Sequence, residues 1–266
     1  MRPPLHPMPM PQRLRAALAA RPWPGRASLG LADLASLALA AALVPNAPAG
    51  VSAAPAMPRV VEVPSRPAFI KPPGGSERPA RPGQILAAST LLRTQKPGRI
   101  QVLLANGRSF RLGGDAVARL GPDGVDLENG QIIAWVNPGS KGTTRLRLRI
   151  RTRVATASIV GTTVFIDATP DTVKVFSWEG HVSVATSSGV TFELHSGQQV
   201  VFEQGAWQAP RRLSQEEATV RRRTSLLLNG FETPMVTLPV IERELGLSPL
   251  AAPAAAPVAP ASPPAR

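Results

Sequence analysis

The placement of proline limits what this chain can fold into. Of its 30 prolines, 17 precede Gly83, 4 lie between Gly83 and Gln208, and 9 follow. Proline lacks the N–H that helices and sheet ladders need, so continuous regular structure is expected only in the middle stretch. That stretch has the length of one domain. The expected organisation is a signal peptide or membrane-anchor region at 1–56, a proline-rich linker at 57–82, a β domain at 83–210, a helical extension at 211–247 and a disordered Ala/Pro tail at 248–266.

From Gly83 the hydrophobic period is two. Ile100, Val102 and Leu104 share one strand face, and turn-forming pairs recur at short spacing: Asn106-Gly107, Asp123-Gly124, Asn129-Gly130, Pro138-Gly139, Pro170-Asp171, Glu179-Gly180, Ser188-Gly189 and Ser196-Gly197. Short strands between frequent turns imply an all-β fold: an antiparallel sandwich, a barrel or a β-helix-like arrangement. The longest strand signal places Arg145, Arg147, Arg149, Arg151 and Arg153 on one face, alternating with Leu146, Leu148, Ile150, Thr152 and Val154. Extended, the five guanidiniums would line a stripe of roughly 26 Å at about 3.3 Å per residue. Such a stripe suits carboxylates, phosphates or sulfates. The alternative is a solvated strand face partly neutralised by acids on neighbouring strands.

The net charge of +13 does not by itself mark a nucleic-acid binder. The excess is +6 up to Ala80, +5 from Arg81 to Pro210 and +2 beyond, and no aromatics interleave with the basic residues on one face. Nucleic acid is the weakest form of a polyanion reading. Ahead of the β region, a stretch of sixteen residues from Leu29 to Val44 is apolar apart from Asp33 and follows five arginines, with Ala-x-Ala sites at Ala47–Ala49 and Ala54–Ala56. This reads as a cleaved export signal; an uncleaved anchor and an ordinary helix are the alternatives. Either of the first two leaves the remainder outside the cytoplasm, in the periplasm or cell envelope.

Five separated elements resemble the FecR domain family. They are the Arg93-Thr94 pair with the Asn106-Gly107 turn, a Gly-led strand at Asn129-Gly130, a central block holding Thr152, Ala155, Gly161 and Thr162, the Glu179-Gly180 strand, and the closing Gly197-Gln198. Arg153, Val160 and Thr163-Val164 depart from the family pattern, with the aromatic arriving at Phe165. The resemblance implies an extracytoplasmic β domain that hears a signal, joined in its best-known members to a cytoplasmic anti-sigma helical domain. With only 28 proline-broken residues before Leu29, the anti-sigma output is not expected here.

Ser214 and Glu217 form a capping-box pattern that opens a helix of some fifteen residues, with Val220, Leu227 and Leu228 on one apolar face packed on the sheet. The stretch from Val236 to Gly246 adds a short helical turn. No nucleophile–base set, Walker loop or metal-ligand spacing is present, and there is no cysteine. His6 lies in the signal region, while His181 and His195 are single strand positions. Asp167 and Asp171 read as turn caps. The expected function is non-catalytic and without a cofactor: a sensory or scaffolding module for a protein or envelope component. The alternative is an anionic-glycan or lipid-headgroup binder using the arginine strand.

Overall fold

The computed structural model describes residues 57–104, 107–137 and 147–250. Among them, sixteen strands join one continuous sheet and three short helices follow. Every strand pair is antiparallel except β7 with β8. The all-β expectation holds, and the form found is a sandwich made by folding that sheet on itself.

The fold is organised by its two longest strands, β6 (Arg108–Leu120) and β7 (Gly124–Val136). The first half of β6 pairs with β5 (Arg99–Leu103) and the second half with β4 (Leu91–Thr94). On the other side, the start of β7 pairs with β8 (Leu148–Arg151) and its end with β10 (Thr163–Ala168). The β6–β7 ladder slips between Gly113 and Ala118. Opposite the slip, Gly130 has φ +87°, and a Cβ there would lie 2.3 Å from Ala116 Cα, so a side chain would collide with the facing backbone.

The bend divides the sheet in two. One layer, the β10 sheet, holds β1 (Arg59–Ser65), β5, β10, β11 (Val173–Glu179) and β14 (Gln198–Glu203). The other, the β8 sheet, holds β2 (Ala68–Lys71), β4, β8, β9 (Ala155–Ile159), β12 (His181–Thr186) and β13 (Thr191–His195). Val60, Phe110, Ile132, Ile166 and Val175 from the first layer and Ile70, Leu92, Ile150, Ala157 and Val182 from the second belong to one buried core. Ile100, Val102 and Leu104 join it as the alternation predicts.

A third layer covers the far side of the β10 sheet. Here α1 (Gln215–Thr224), α2 (Leu226–Asn229) and α3 (Leu238–Leu245) bury Ala218, Leu227, Leu228, Ile241 and Leu245 against Ile133, Trp135, Phe176 and Trp178. Strand β7 is therefore apolar on both faces from Ile132 to Val136 because both faces are covered.

One buried cation ties this layer down. Arg111 is 0% exposed; it donates to Gln101 Oε1 (2.8 Å), to the carbonyls of Leu227 (2.8 Å) and Leu228 (3.3 Å), and to that of Thr233 (2.6 Å). The Phe231 ring lies 4.2 Å from its guanidinium carbon. Glu62 on β1 grips the same connection from its amide side, accepting from Glu232 N (2.8 Å) and Thr233 N (2.9 Å). A second buried pair, Arg222 and Glu242 at 2.8 Å, joins α1 to α3.

Four expectations need correction. Residues 59–79, read as linker, form β1, β2 and β3 (Arg78–Pro79). Pro64 falls in the irregular part of β1, which pairs only with β5 in the sheet, and Pro79 sits on the edge strand β3, so neither proline is asked for a central ladder bond. The Arg93–Glu77 ion pair and Arg93 stacking 4.5 Å over Phe69 bind this segment to β4. Asn129-Gly130 is not a turn but the bend inside β7. The fifteen-residue helix is broken at Ser225, which caps α2, so Val220 is 44% exposed while Leu227 and Leu228 are buried. The β10–β11 turn is closed by Thr169, whose Oγ1 accepts from Thr172 N (3.0 Å), while Asp167 faces Gln131 Nε2 at 3.1 Å. The capping box at Ser214 and Glu217 is present as expected. The signal region and the tail from residue 251 lie outside the described residues.

Replacing Arg111 by Leu leaves the carbonyls of Leu227 and Thr233 without their donor in a dry environment. The expected loss is about 3–5 kcal/mol, read from the urea midpoint of the full chain. Amide exchange should rise first in residues 227–233.

Candidate functional site

The sequence-predicted stripe lies on the outer face of the β8 sheet. Arg147 and Arg149 are exposed and Arg151 is half-buried, while Leu148 and Ile150 point into the core, so the alternation places these three arginines on one side. Two of them meet acids across the parallel β7–β8 pairing: Arg149 Nη1 lies 3.2 Å from Asp123 Oδ2, and Arg151 Nε 2.5 Å from Asp126 Oδ1. Arg145 lies outside the described residues. Arg153 has left the strand, which ends at Arg151, and its guanidinium sits 5.3 Å from the centre of the Phe202 ring. The five-arginine stripe is therefore shorter than the alternation suggested, because the turn into β9 begins at Thr152.

Beside the arginines the open face continues over β9, β12 and β13. Arg147, Ser158, Val160, His181, Ser183 and Glu193 line a shallow cleft of about 230 Å³. Val160 is 47% exposed there. His181 Nε2 lies 2.7 Å from Glu193 Oε2, the Ser183 hydroxyl donates to Glu193 Oε1 (2.8 Å), and the rings of His181 and His195 stack at 5.1 Å. Strand β13 pairs only with β12 and forms the edge of this sheet.

The motif residues do a different job. Gly161 links β9 to β10, Gly180 links β11 to β12, and Gly197 links β13 to β14, so each stands where the chain passes from one sheet to the other. At Gly180 the constraint is explicit: φ is +73°, and a Cβ would lie 2.5 Å from Thr162 Cγ2. Thr152 Oγ1 accepts from Ala155 N (3.2 Å) to close the β8–β9 turn, and Ala155 is buried in the core. Gln198 Oε1 accepts from His195 N (2.8 Å) at the last corner.

The Glu179 side chain is buried beside these corners. Thr163 Oγ1 donates to its Oε1 (2.9 Å) and lies 2.8 Å from Thr237 Oγ1 just before α3. Gly180 N donates to Ser196 Oγ (2.8 Å) and to Glu244 Oε2 (3.0 Å) on α3. Burial pushes the Glu179 carboxyl up to about 7; the Thr163 hydroxyl opposes the rise and the nearby Glu244 charge adds to it.

Among the described residues no group of three His, Asp or Glu side chains could hold a metal ion, and no helix is long and apolar enough to cross a membrane.

With this geometry in view, the model of the family described as FecR protein matches residues 90–183, from the start of β4 into β12. The likeness to FecR thus covers the central part of the chain. Part of the chain also matches two crystal structures of a candidate anti-sigma factor from Parabacteroides distasonis. One, at 2.50 Å, is 18% identical with a TM-score of 0.42, covering 52% of this chain and 64% of that one. The other, at 1.65 Å, is 19% identical with a TM-score of 0.38, covering 47% and 59%. The chain thus spans less than two thirds of either. No curated protein matches.

Reasoning from sequence missed the polar groups on the far side of the FecR domain, under the helices: Trp178, Arg221, Gln131 and Lys174. The signal for them was Phe176 and Trp178, two large aromatics on strand β11 beyond the inward Val173 and Val175, which require a cover on the outer face.

The Glu179 proton predicts a pH dependence. An unfolded chain releases it near 4.5, the native protein near 7, so the native state binds more protons between these values and stability falls as pH rises through that window. Glu179→Gln removes this contribution. Its stability relative to the parent should improve by roughly 2–3 kcal/mol between pH 5 and pH 8 in paired urea titrations; a constant difference would show that Glu179 does not titrate in the window.

Proposed function

We propose that the protein is an exported, non-catalytic FecR-domain module of signalling or scaffolding that binds a protein or envelope component through the open face of the β8 sheet. The FecR match supports a regulatory role in signalling. Export is supported by the arginine-rich segment ahead of Leu29–Val44. The observation that carries the choice of surface is the asymmetry of the sandwich. The β10 sheet is covered by the helices, while Arg147, Arg149, Val160, His181 and Glu193 on the other layer face solvent.

The pairing of Arg149 and Arg151 with Asp123 and Asp126 favours a protein partner of mixed charge over a polyanion. A polyanion must displace two carboxylates from the arginines it meets. A partner protein can complement both signs and place apolar groups against Val160.

The test uses the full chain with Arg147, Arg149 and Arg151 all changed to Gln. Arg147 and Arg149 are exposed, and the half-buried Arg151 is joined only to the partly exposed Asp126, so the melting temperature should stay within a few degrees, while partner capture from envelope extract should fall about tenfold or more. Capture unchanged by the triple substitution would remove this face from the site. Raising salt from 50 to 200 mM separates the chemistries: with three arginines neutralised, a fall of about fortyfold marks a polyanion, and a few-fold change a protein interface.

A further inference from the structure

On the opposite layer, where the helices meet the β10 sheet, a cleft of about 310 Å³ opens between β10, β11 and the α1–α2 junction. Its walls are Phe165 and Trp178 from the sheet and Leu226 and Leu227 from α2; its charged groups are Asp167, Lys174 and Arg221, with the Gln131 amide and the Thr224 and Ser225 hydroxyls beside them. Two of its donors have no acceptor. Trp178 is 1% exposed, and its indole Nε1–H is buried without a hydrogen-bond partner. Arg221 Nη1 is likewise buried and unpartnered, although Nη2 donates to Gln199 Oε1 at 3.2 Å.

Buried donors are normally satisfied, and leaving one empty costs about 1–3 kcal/mol, more for a charged group. Two at one cleft mark a place shaped for an acceptor. Arg221 is also held in position: its guanidinium carbon lies 4.6 Å from the centre of the Phe176 ring and 5.9 Å from that of Phe165. Among the described residues no carboxylate lies within ion-pair distance of it. Asp167, the acid in the cleft, is engaged with Gln131 at 3.1 Å.

We infer that this cleft binds a carboxylate carried on a short apolar group, the carboxylate between Arg221 and the Trp178 indole and the apolar part against Phe165 and Leu226. Two cations, Arg221 and Lys174, against one acid, Asp167, match a singly charged ligand. A phosphate dianion would set its second charge against Asp167. The volume admits a residue or two of peptide, so the carboxylate could be a peptide C-terminus or a free acylated amino acid. The site lies on the other layer from the β8 face and does not depend on that reading.

The test is an ¹⁵N–¹H titration of the full chain, whose four tryptophans give four indole signals. Trp178→Phe assigns the relevant signal. The probe is N-acetyl-leucine, with N-acetyl-leucinamide as the uncharged control. The Trp178 indole signal should shift saturably with the acid at millimolar concentration and not with the amide, and Arg221→Gln should weaken binding at least tenfold. If Trp178→Phe fails to fold, the signal is assigned instead by its response to Arg221→Gln, which changes a half-buried side chain. An acetylated dipeptide acid that binds more tightly than N-acetyl-leucine identifies a peptide C-terminus, and equal binding a free small acid; either outcome supports the carboxylate site. No movement of the Trp178 signal with the acid, equal movement with the amide, or binding indifferent to Arg221→Gln would overturn it.

Discussion

The bend where Gly130 passes Ala116 is the constraint on which the architecture rests. Two thirteen-residue strands running straight would carry one flat, two-sided sheet with no enclosed core. The slip in the β6–β7 ladder lets each strand serve two layers, so residues a few positions apart in β7 pair with β8 in one sheet and β10 in the other. Thr94 supports the bend from β4, its Oγ1 accepting from Ala116 N at 3.1 Å. Three later crossings at Gly161, Gly180 and Gly197 repeat the exchange between layers. Three glycines of the spaced motif thus stand at corners where the chain changes layer.

The helical layer depends on charge held in a dry place. Arg111 comes from the first half of β6 and reaches carbonyls more than a hundred residues away in sequence. Glu62 holds the amides of the same connection from β1. A buried guanidinium is tolerable because oxygens meet its donors and the Phe231 and Trp135 rings lie within about 5.4 Å. This also explains why the segment before Gly83 folds with the domain: it supplies the acid opposite Arg111 and the Glu77 partner of Arg93. Among the described residues, one sheet is covered and the other is not, which gives two unlike faces, a charged outer surface and a cleft beneath helices.

Period-two alternation was a dependable guide wherever one strand face meets the core and the other meets solvent, as in Leu148–Arg151. Local turn chemistry was dependable for the capping box at Ser214. Both failed where a position is judged by more than its neighbours in sequence. The prolines of residues 57–82 suggested a linker, yet Pro64 and Pro79 stand in strands where no central ladder bond is asked of them. Asn129-Gly130 has the composition of a turn, yet it stands opposite a bulge. Asp167 resembles a cap, yet the side chain of Thr169 is nearer the turn it closes.

The sequence alone determined that the chain is an all-β FecR-like domain with a capped helix after it, and that Arg147, Arg149 and Arg151 share a face. Those properties follow from side-chain period and turn preference, which act over a few residues. Tertiary structure decided that the sheet folds into a sandwich and that Arg149 and Arg151 meet Asp123 and Asp126. It also decided that Arg153 turns away to Phe202 and that Trp178 and Arg221 face one cleft. These contacts join residues tens to more than a hundred positions apart, and no local rule specifies which strands a bent ladder will bring together.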